Sequence, residues 1–236
     1  KAGKGKDDST VPKDAVLEDQ AAKLEEIYVS LKTTTETIKK TEKNWSMIFD
    51  AEAKSMEQAQ AKYPEDDDVK AGAKLFASCC EEMKKQYLKT AHTHQEYNTV
   101  LKNVDKYLEQ IKALQPDYKQ VETDRVDYEM YVEKADGLEE AIEKGKNKSE
   151  KFDRNVAKRD AAKEKYETKL AEVKAKQAGV YKMRVAAFKA AFTAYFYLQA
   201  LMADTMDGKG EPIYHWAEEH ANQISDTSFQ RLKLDA

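Results

Sequence analysis

Glycine and proline are scarce in this chain. Its 236 residues include 8 Gly and 4 Pro. Gly3, Gly5, Gly208 and Gly210 lie near the ends, so only Gly72, Gly137, Gly145 and Gly179, with Pro64 and Pro116, punctuate the middle. A β-rich or α/β chain of this length needs many more turn residues, which leaves long helices. Cysteine is also nearly absent. Cys79 and Cys80 are adjacent, a spacing that suits neither a disulfide between them nor a CxxC or metal site. That usage points to a reduced, intracellular setting, and no secretory signal is visible.

Catalytic signatures are missing too. The sequence carries no P-loop, no GxGxxG and no nucleophile elbow. His92 and His94 are two apart and point about 200° apart on a helix. His215 and His220 are five apart, whereas a helical HExxH pair needs four. The acidic run Asp66-Asp67-Asp68 lacks the alternating ligands and central Gly of a calcium loop, and reads as a helix cap. The 44 carboxylates read as solvated helix surface rather than as a tuned pair. The expectation is a non-enzymatic protein with no cofactor and no metal.

What the chain does have is charge, at 36% of residues, and one apolar exception. In Val180–Met206 there is no charged residue between Lys189 and Asp204. The stretch reads as too short to cross a bilayer, which takes roughly 20 apolar residues, and as too long and Ala-rich for a strand. A helix apolar all round must be covered all round. The stretch is therefore expected at the centre of a helical bundle where two chains meet, with Phe188, Phe192, Tyr195, Phe196, Leu198, Leu201 and Met202 in the dimer interface. The plainer alternative is the middle of a single-chain bundle.

Apolar residues recur at spacings of three, four and seven from Val16 onward: Leu17, Leu24, Ile27, Leu31, Ile38, Trp45, Ile48 and Phe49. This is a bundle or coiled-coil seam. The first helix is expected to run to about Lys62, where Tyr63-Pro64 breaks it. A second starts near Val69 and carries Leu75, Phe76, Met83, Tyr87, Leu88, Tyr97, Val100, Leu101, Val104, Leu108, Ile111 and Leu114. Pro116 should kink it rather than end it, because the pattern resumes at Tyr118, Val121 and Val126. Gly145-Lys146-Asn147-Lys148-Ser149 is the turn. The third helix is expected from about Ser149 to Met206. Its register passes through Phe152, Val156, Arg159, Lys163, Tyr166, Leu170, Val173, Gln177, Val180, Arg184, Ala187, Ala191, Ala194, Leu198 and Leu201. Asp207-Gly208-Lys209-Gly210 should stop it. The expected divisions are a disordered segment over 1–12, a helical domain over 13–207, and a tail over 208–236 that is either a short docked helix or a linker.

The charge is unevenly spread. Ile142–Arg184 holds 14 Lys or Arg and 7 Asp or Glu, while the rest of the chain is net acidic. Such asymmetry points to a polyanionic partner for one region. The bases cluster at the turn: Lys144, Lys146, Lys148, Lys151, Arg154, Lys158 and Arg159. An anionic membrane fits better than nucleic acid, because no aromatic lies between Arg154 and Lys165 to stack on bases.

Three stretches then resemble a BAR domain of the amphiphysin and Rvs class. Val104–Tyr131, with its Pro-Asp interruption and Val126-Asp127-Tyr128-Glu129, is similar to that class's kinked second helix. Lys144–Arg159 resembles its basic tip. Lys158–Met206, closing on Arg184-Val185-Ala186-Ala187-Phe188, resembles its third helix; Gln20–Asp66 matches the first helix more loosely. The resemblance implies an antiparallel three-helix coiled coil, all-α, long and kinked, that dimerises into a curved six-helix bundle. It further implies a cytoplasmic, peripheral module that binds anionic phospholipid and senses or scaffolds curvature in endocytosis or membrane trafficking. The bases named above would be the lipid contacts. Two features depart from the class. Pro116–Glu133 has only Lys119 and Arg125 against Asp117, Glu122, Asp124, Asp127, Glu129 and Glu133. Lys1–Thr10 has no apolar face to insert. The first shifts weight from the concave face to the tips, and the second implies sensing or scaffolding of curvature rather than wedging. The second reading is a structural coiled-coil or spectrin-like adaptor that binds protein partners without lipid.

Overall fold

A computed structural model describes residues 10–62, 64–146 and 149–221. Every regular element among them is a helix: α1 (Ala15–Lys62), α2 (Asp67–Thr93), α3 (Gln95–Ala113), α4 (Gln115–Glu143), α5 (Ser149–Lys182) and α6 (Arg184–Ala221). The chain divides into two compact units. The first comprises the chain up to Lys32 and Val104–Phe188; the second comprises Thr33–Asn103 and the chain from Lys189.

The sevenfold spacing in α1 becomes its buried edge. Leu17, Leu24, Leu31 and Ile38 are all buried, and Trp45, the next step, is half-buried. Val16 and Ile48 lie off that edge and are exposed. Fully burying one such aliphatic side chain contributes about 2 kcal/mol. The register drawn through the third sequence helix holds as well. Tyr166, Val173, Gln177, Ala187, Ala191, Ala194, Leu198 and Leu201 are buried, and only Lys163 of the series is exposed.

In the first unit the partners run up, down and up. Asp117 and Asp124 on α4 meet Lys169, Lys176 and Lys165 on α5 in descending order, so α4 and α5 are antiparallel. Asp14 meets Lys174 and the Leu17 carbonyl accepts from Gln177, so α1 and α5 are parallel. Val11, Leu17, Val121, Tyr166 and Val173 form the core here. Buried Gln177 interrupts it, donating to Leu17 O and Tyr118 Oη at 3.0 Å each. In the second unit, Ile38 and Phe49 of α1, Met83 and Tyr87 of α2, Tyr97 of α3 and Ala194, Leu198 and Met202 of α6 share one core.

Thr10 and Val11 belong to this structure and not to a disordered leader. Val11 is buried, its carbonyl accepts from Arg125 Nη1 at 2.5 Å, and the Thr10 amide donates to Glu129 at 2.9 Å. Arg125 is held by a two-pronged pair with Glu122 (2.9 and 3.0 Å) and by Glu129 at 3.0 Å, so its guanidinium pins the entry to α1 against α4. The expected 1–12 segment otherwise falls on residues 1–9, outside the described residues.

Three of the five breaks between the described helices are single residues. The one at Leu114 was legible in Pro116, which lacks the amide that would continue the ladder. Those at His94 and Met183 were not expected, and the second and third sequence helices are each broken there. Asp66 caps α2 by accepting the Val69 amide at 2.9 Å, as its acidic run suggested.

The largest correction is at the end of α6. The helix does not stop at Asp207-Gly208-Lys209-Gly210 but continues through Pro212 to Ala221. Packing overrides the weak local propensity. Ile213, Trp216 and Ala217 line a groove with Met56, Ala59, Val69, Gly72 and Phe76. Trp216 lies so close to α2 that a Cβ on Gly72 would stand 2.6 Å from its ring, which explains a glycine inside that helix. Residues 222–236 lie outside the described part.

Two outcomes follow. In a Trp45→Phe background, Gly72→Ala should red-shift Trp216 emission and lower stability by about 1–2 kcal/mol, because overpacking exceeds the helix-propensity gain of Ala over Gly; an unshifted spectrum with a raised melting temperature would show the docking is loose. The Lys169 ammonium beside Asp117, with Lys176 next to it, holds that carboxyl below the usual carboxylate range. A carboxyl depressed in the folded state contributes stability above its unfolded value, about 3.9, and loses it as pH falls through the folded value. Asp117→Asn should therefore flatten the loss of urea resistance on acidification below about pH 4.

Candidate functional site

The turn between α4 and α5 is built by backbone. Gly145 has φ 79°, the left-handed region that favours glycine. Its amide donates to Ile142 O at 2.8 Å and the Lys146 amide to Ala141 O at 3.1 Å, a Schellman closure that satisfies the last carbonyls of α4. α5 then starts at Ser149. The expected turn is present at Gly145 and Lys146, while Asn147 and Lys148 lie outside the described residues.

The predicted basic residues sit around it unequally. Lys144 is exposed and reaches Glu140 at 3.2 Å, an exposed pair of small net worth. Lys146, Lys151 and Arg154 are exposed. None of the three has an ion-pair partner among the described residues. Lys148 lies outside the described residues. Lys158 is exposed, with its ammonium 5.9 Å from the Tyr131 ring centre; Lys134 approaches the same ring at 5.3 Å. Arg159 is half-buried and bound to its neighbour Asp160 at 2.9 Å. Lys151, Arg154 and Lys158 are spaced three and four apart and share one side of α5.

Farther along α5 the cations are taken up inside the chain. Lys165 pairs with buried Asp124 at 2.7 Å, and Lys169 and Lys176 converge on Asp117 at 2.8 and 3.2 Å. These pairs explain much of the acid excess of α4: Asp117 and Asp124 answer bases of α5, while Glu122 and Glu129 hold Arg125. Nearer the turn the acids of α4 stay exposed, at Glu133, Asp136, Glu139, Glu140 and Glu143. On α5 the bases Lys151, Arg154 and Lys158 share one side, and the same part of that helix also exposes Glu150, Asp153, Asp160 and Glu164.

The apolar stretch of α6 is likewise divided. Leu198, Leu201 and Met202 are buried in the chain's own core, so these three expected interface residues are already covered. Phe188 is half-buried. Phe192 (56% exposed), Tyr195 (37%) and Phe196 (68%) face outward, with Val185 and Met206 also exposed. Met47 and Ile48 of α1 are further exposed apolar side chains of the second unit, outside the expected interface. Apolar exposure of this kind marks an interaction surface. By length and composition alone, the helical stretch Ser149–His220 contains a segment apolar enough to cross a membrane, contrary to the expectation that it is too short. In the structure that segment packs one face into a protein core, through Ala191, Ala194, Leu198, Leu201 and Met202.

The histidine pairs fall apart as spaced. His92 faces Glu42 at 3.2 Å, while His94 sits against Tyr197 with ring centres 4.9 Å apart. His220 stacks on Trp216 at 4.0 Å. Among the described residues no three His, Cys, Asp or Glu side chains gather as a metal site.

No protein-family model matches the chain, and no curated protein does. Among solved structures, the chain is similar to a BAR protein from Galdieria sulphuraria, with a TM-score of 0.69 and 21% sequence identity over 88% of this chain and 99% of that one. The fold is thus all-α and BAR-like.

Proposed function

We propose that this chain is a membrane-binding module that forms a homodimer through the exposed face of α6 and contacts anionic phospholipid through the bases around the α4–α5 turn. The observation that carries the reading is the set of exposed cations Lys146, Lys151 and Arg154 without ion-pair partners among the described residues, on a BAR-like fold. The resemblance in sequence supplies the rest: a curved dimer, peripheral on the cytoplasmic side, that senses or scaffolds curvature during endocytosis or trafficking. The mechanism is shape plus charge. A rigid dimer gains most contact on a surface whose curvature brings both turns to the lipid, and two weak contacts then add through avidity. The side of α5 that carries Lys151, Arg154 and Lys158 meets the membrane.

Charge is the first test. Each basic residue at an anionic surface is worth about 1 kcal/mol, so Lys144→Glu, Lys146→Glu and Lys148→Glu together should weaken liposome co-sedimentation by about two orders of magnitude or more without changing helical content. Unchanged pelleting would remove the turn from the contact. Binding of the native protein should need anionic lipid, fall with added salt and vary with vesicle diameter.

Self-association is the second. Phe192 and Phe196 are exposed in the single chain, so Phe196→Glu should leave its fold intact, yet a dimer would bury an unpaired carboxylate at a cost of several kcal/mol. Sedimentation equilibrium should find a folded monomer. A dimer of undiminished affinity would place the interface elsewhere.

A further inference from the structure

The α2–α3 joint is a single residue, His94, and it is capped from both directions. The Asn98 side chain donates to the carbonyls of Ala91, His92 and His94 at 3.3, 3.1 and 2.9 Å, which satisfies the end of α2. His94 in turn occupies the position that opens α3: its backbone is extended (φ −68°, ψ 108°) and its ring Nδ1 accepts the Tyr97 amide at 3.2 Å. That amide is one of the orphan donors of a helix start, and a side chain three residues earlier is its usual acceptor. Serine, threonine, aspartate and asparagine fill that role without titrating near neutrality; an imidazole does not.

A second partner competes for the same nitrogen. Glu96 Oε2 stands 3.4 Å from Nδ1. The two contacts demand opposite states of the ring. Capping needs a lone pair on Nδ1, which the neutral tautomer protonated on Nε2 supplies. The carboxylate needs a proton there. The remaining groups around the joint are His92, paired with Glu42 of α1, Tyr97 of α3, whose hydroxyl donates to Glu42 at 3.2 Å, and Tyr197 of α6, whose ring lies against the imidazole. A charged imidazolium is unfavourable at the start of α3 but favourable at the end of α2, where the helix dipole is negative.

We propose that His94 is a protonation switch in the α2–α3 joint. Neutral, it caps α3 through Tyr97. Protonated, Nδ1–H turns to Glu96, the Tyr97 amide loses its acceptor and the first turn of α3 frays.

The test is residue-resolved amide exchange on the full chain between about pH 5 and about pH 8, corrected for intrinsic rates, with the imidazole nitrogen shifts of His94 followed in parallel. Protection of the Tyr97 amide should drop by about fivefold, the worth of one cap, along the same titration curve that protonates Nδ1. His94→Asn, which caps at every pH, should abolish the drop, and His92→Gln should leave it in place. Glu96→Gln, which cannot stabilise the cation as a carboxylate does, should move the drop to lower pH. Protection independent of pH in the native chain, or an equal drop in His94→Asn, would overturn the switch.

Discussion

The constraint on which everything else rests is the sevenfold spacing of α1, in which Leu17, Leu24, Leu31 and Ile38 are buried in turn. A helix with such an edge cannot stand alone, since propensity supplies little of a helix's stability and packing of the apolar face supplies most of it. The neighbours must therefore present their own apolar residues along the whole edge. A straight α-helix drifts about 20° per heptad from that spacing. The single-residue breaks at His94, Leu114 and Met183 interrupt the helices at intervals, and the series from Phe152 to Leu201, Lys163 excepted, stays buried or half-buried on both sides of Met183.

The polar part of the fold is subordinate to that edge but decides where free charge remains. Asp117 and Asp124 are drawn against α5 and neutralise Lys165, Lys169 and Lys176. In these pairs the aspartates are covered, while Lys165 and Lys176 remain largely in solvent. Beyond the start of α1, at Val11 against Arg125, the hairpin has no third helix element of this unit laid on it among the described residues. There the bases of α5 face solvent. The division between structural and available lysines thus tracks the distance from the turn, and not the composition of the segment.

Much of this was legible in the sequence because it depends on periodicity. The seams of α1 and α5–α6, the turn at Gly145, the break ahead of Pro116 and the cap at Asp66 each have a local signal with one physical meaning. What escaped was set by partners distant in sequence. Nothing near Gly208 and Gly210 says that Trp216 will seat on Gly72, so local signals place the end of the helix too early. His94 carries no breaker signal; its role depends on Asn98 and Tyr97 acting together. The apolar run of α6 looked uniform, and only the packing of Leu198, Leu201 and Met202 separated the covered face from the one on which Phe192 and Phe196 are exposed. In the basic segment, counting charges could not distinguish Lys165, held by a buried aspartate, from Lys151, held by nothing described.

The Schellman closure at Gly145 has a consequence for how such a surface can change. The end of α4 is closed by one glycine and two amide-to-carbonyl bonds, so the side chains of Lys144 and Lys146 take no part in that closure. Their identity is then free to drift. Substitutions at Lys144, Lys146 or Lys151 alter the charge displayed beside the glycine while the closure of α4 stays as it is, so charge here can change in small steps independently of the scaffold that presents it.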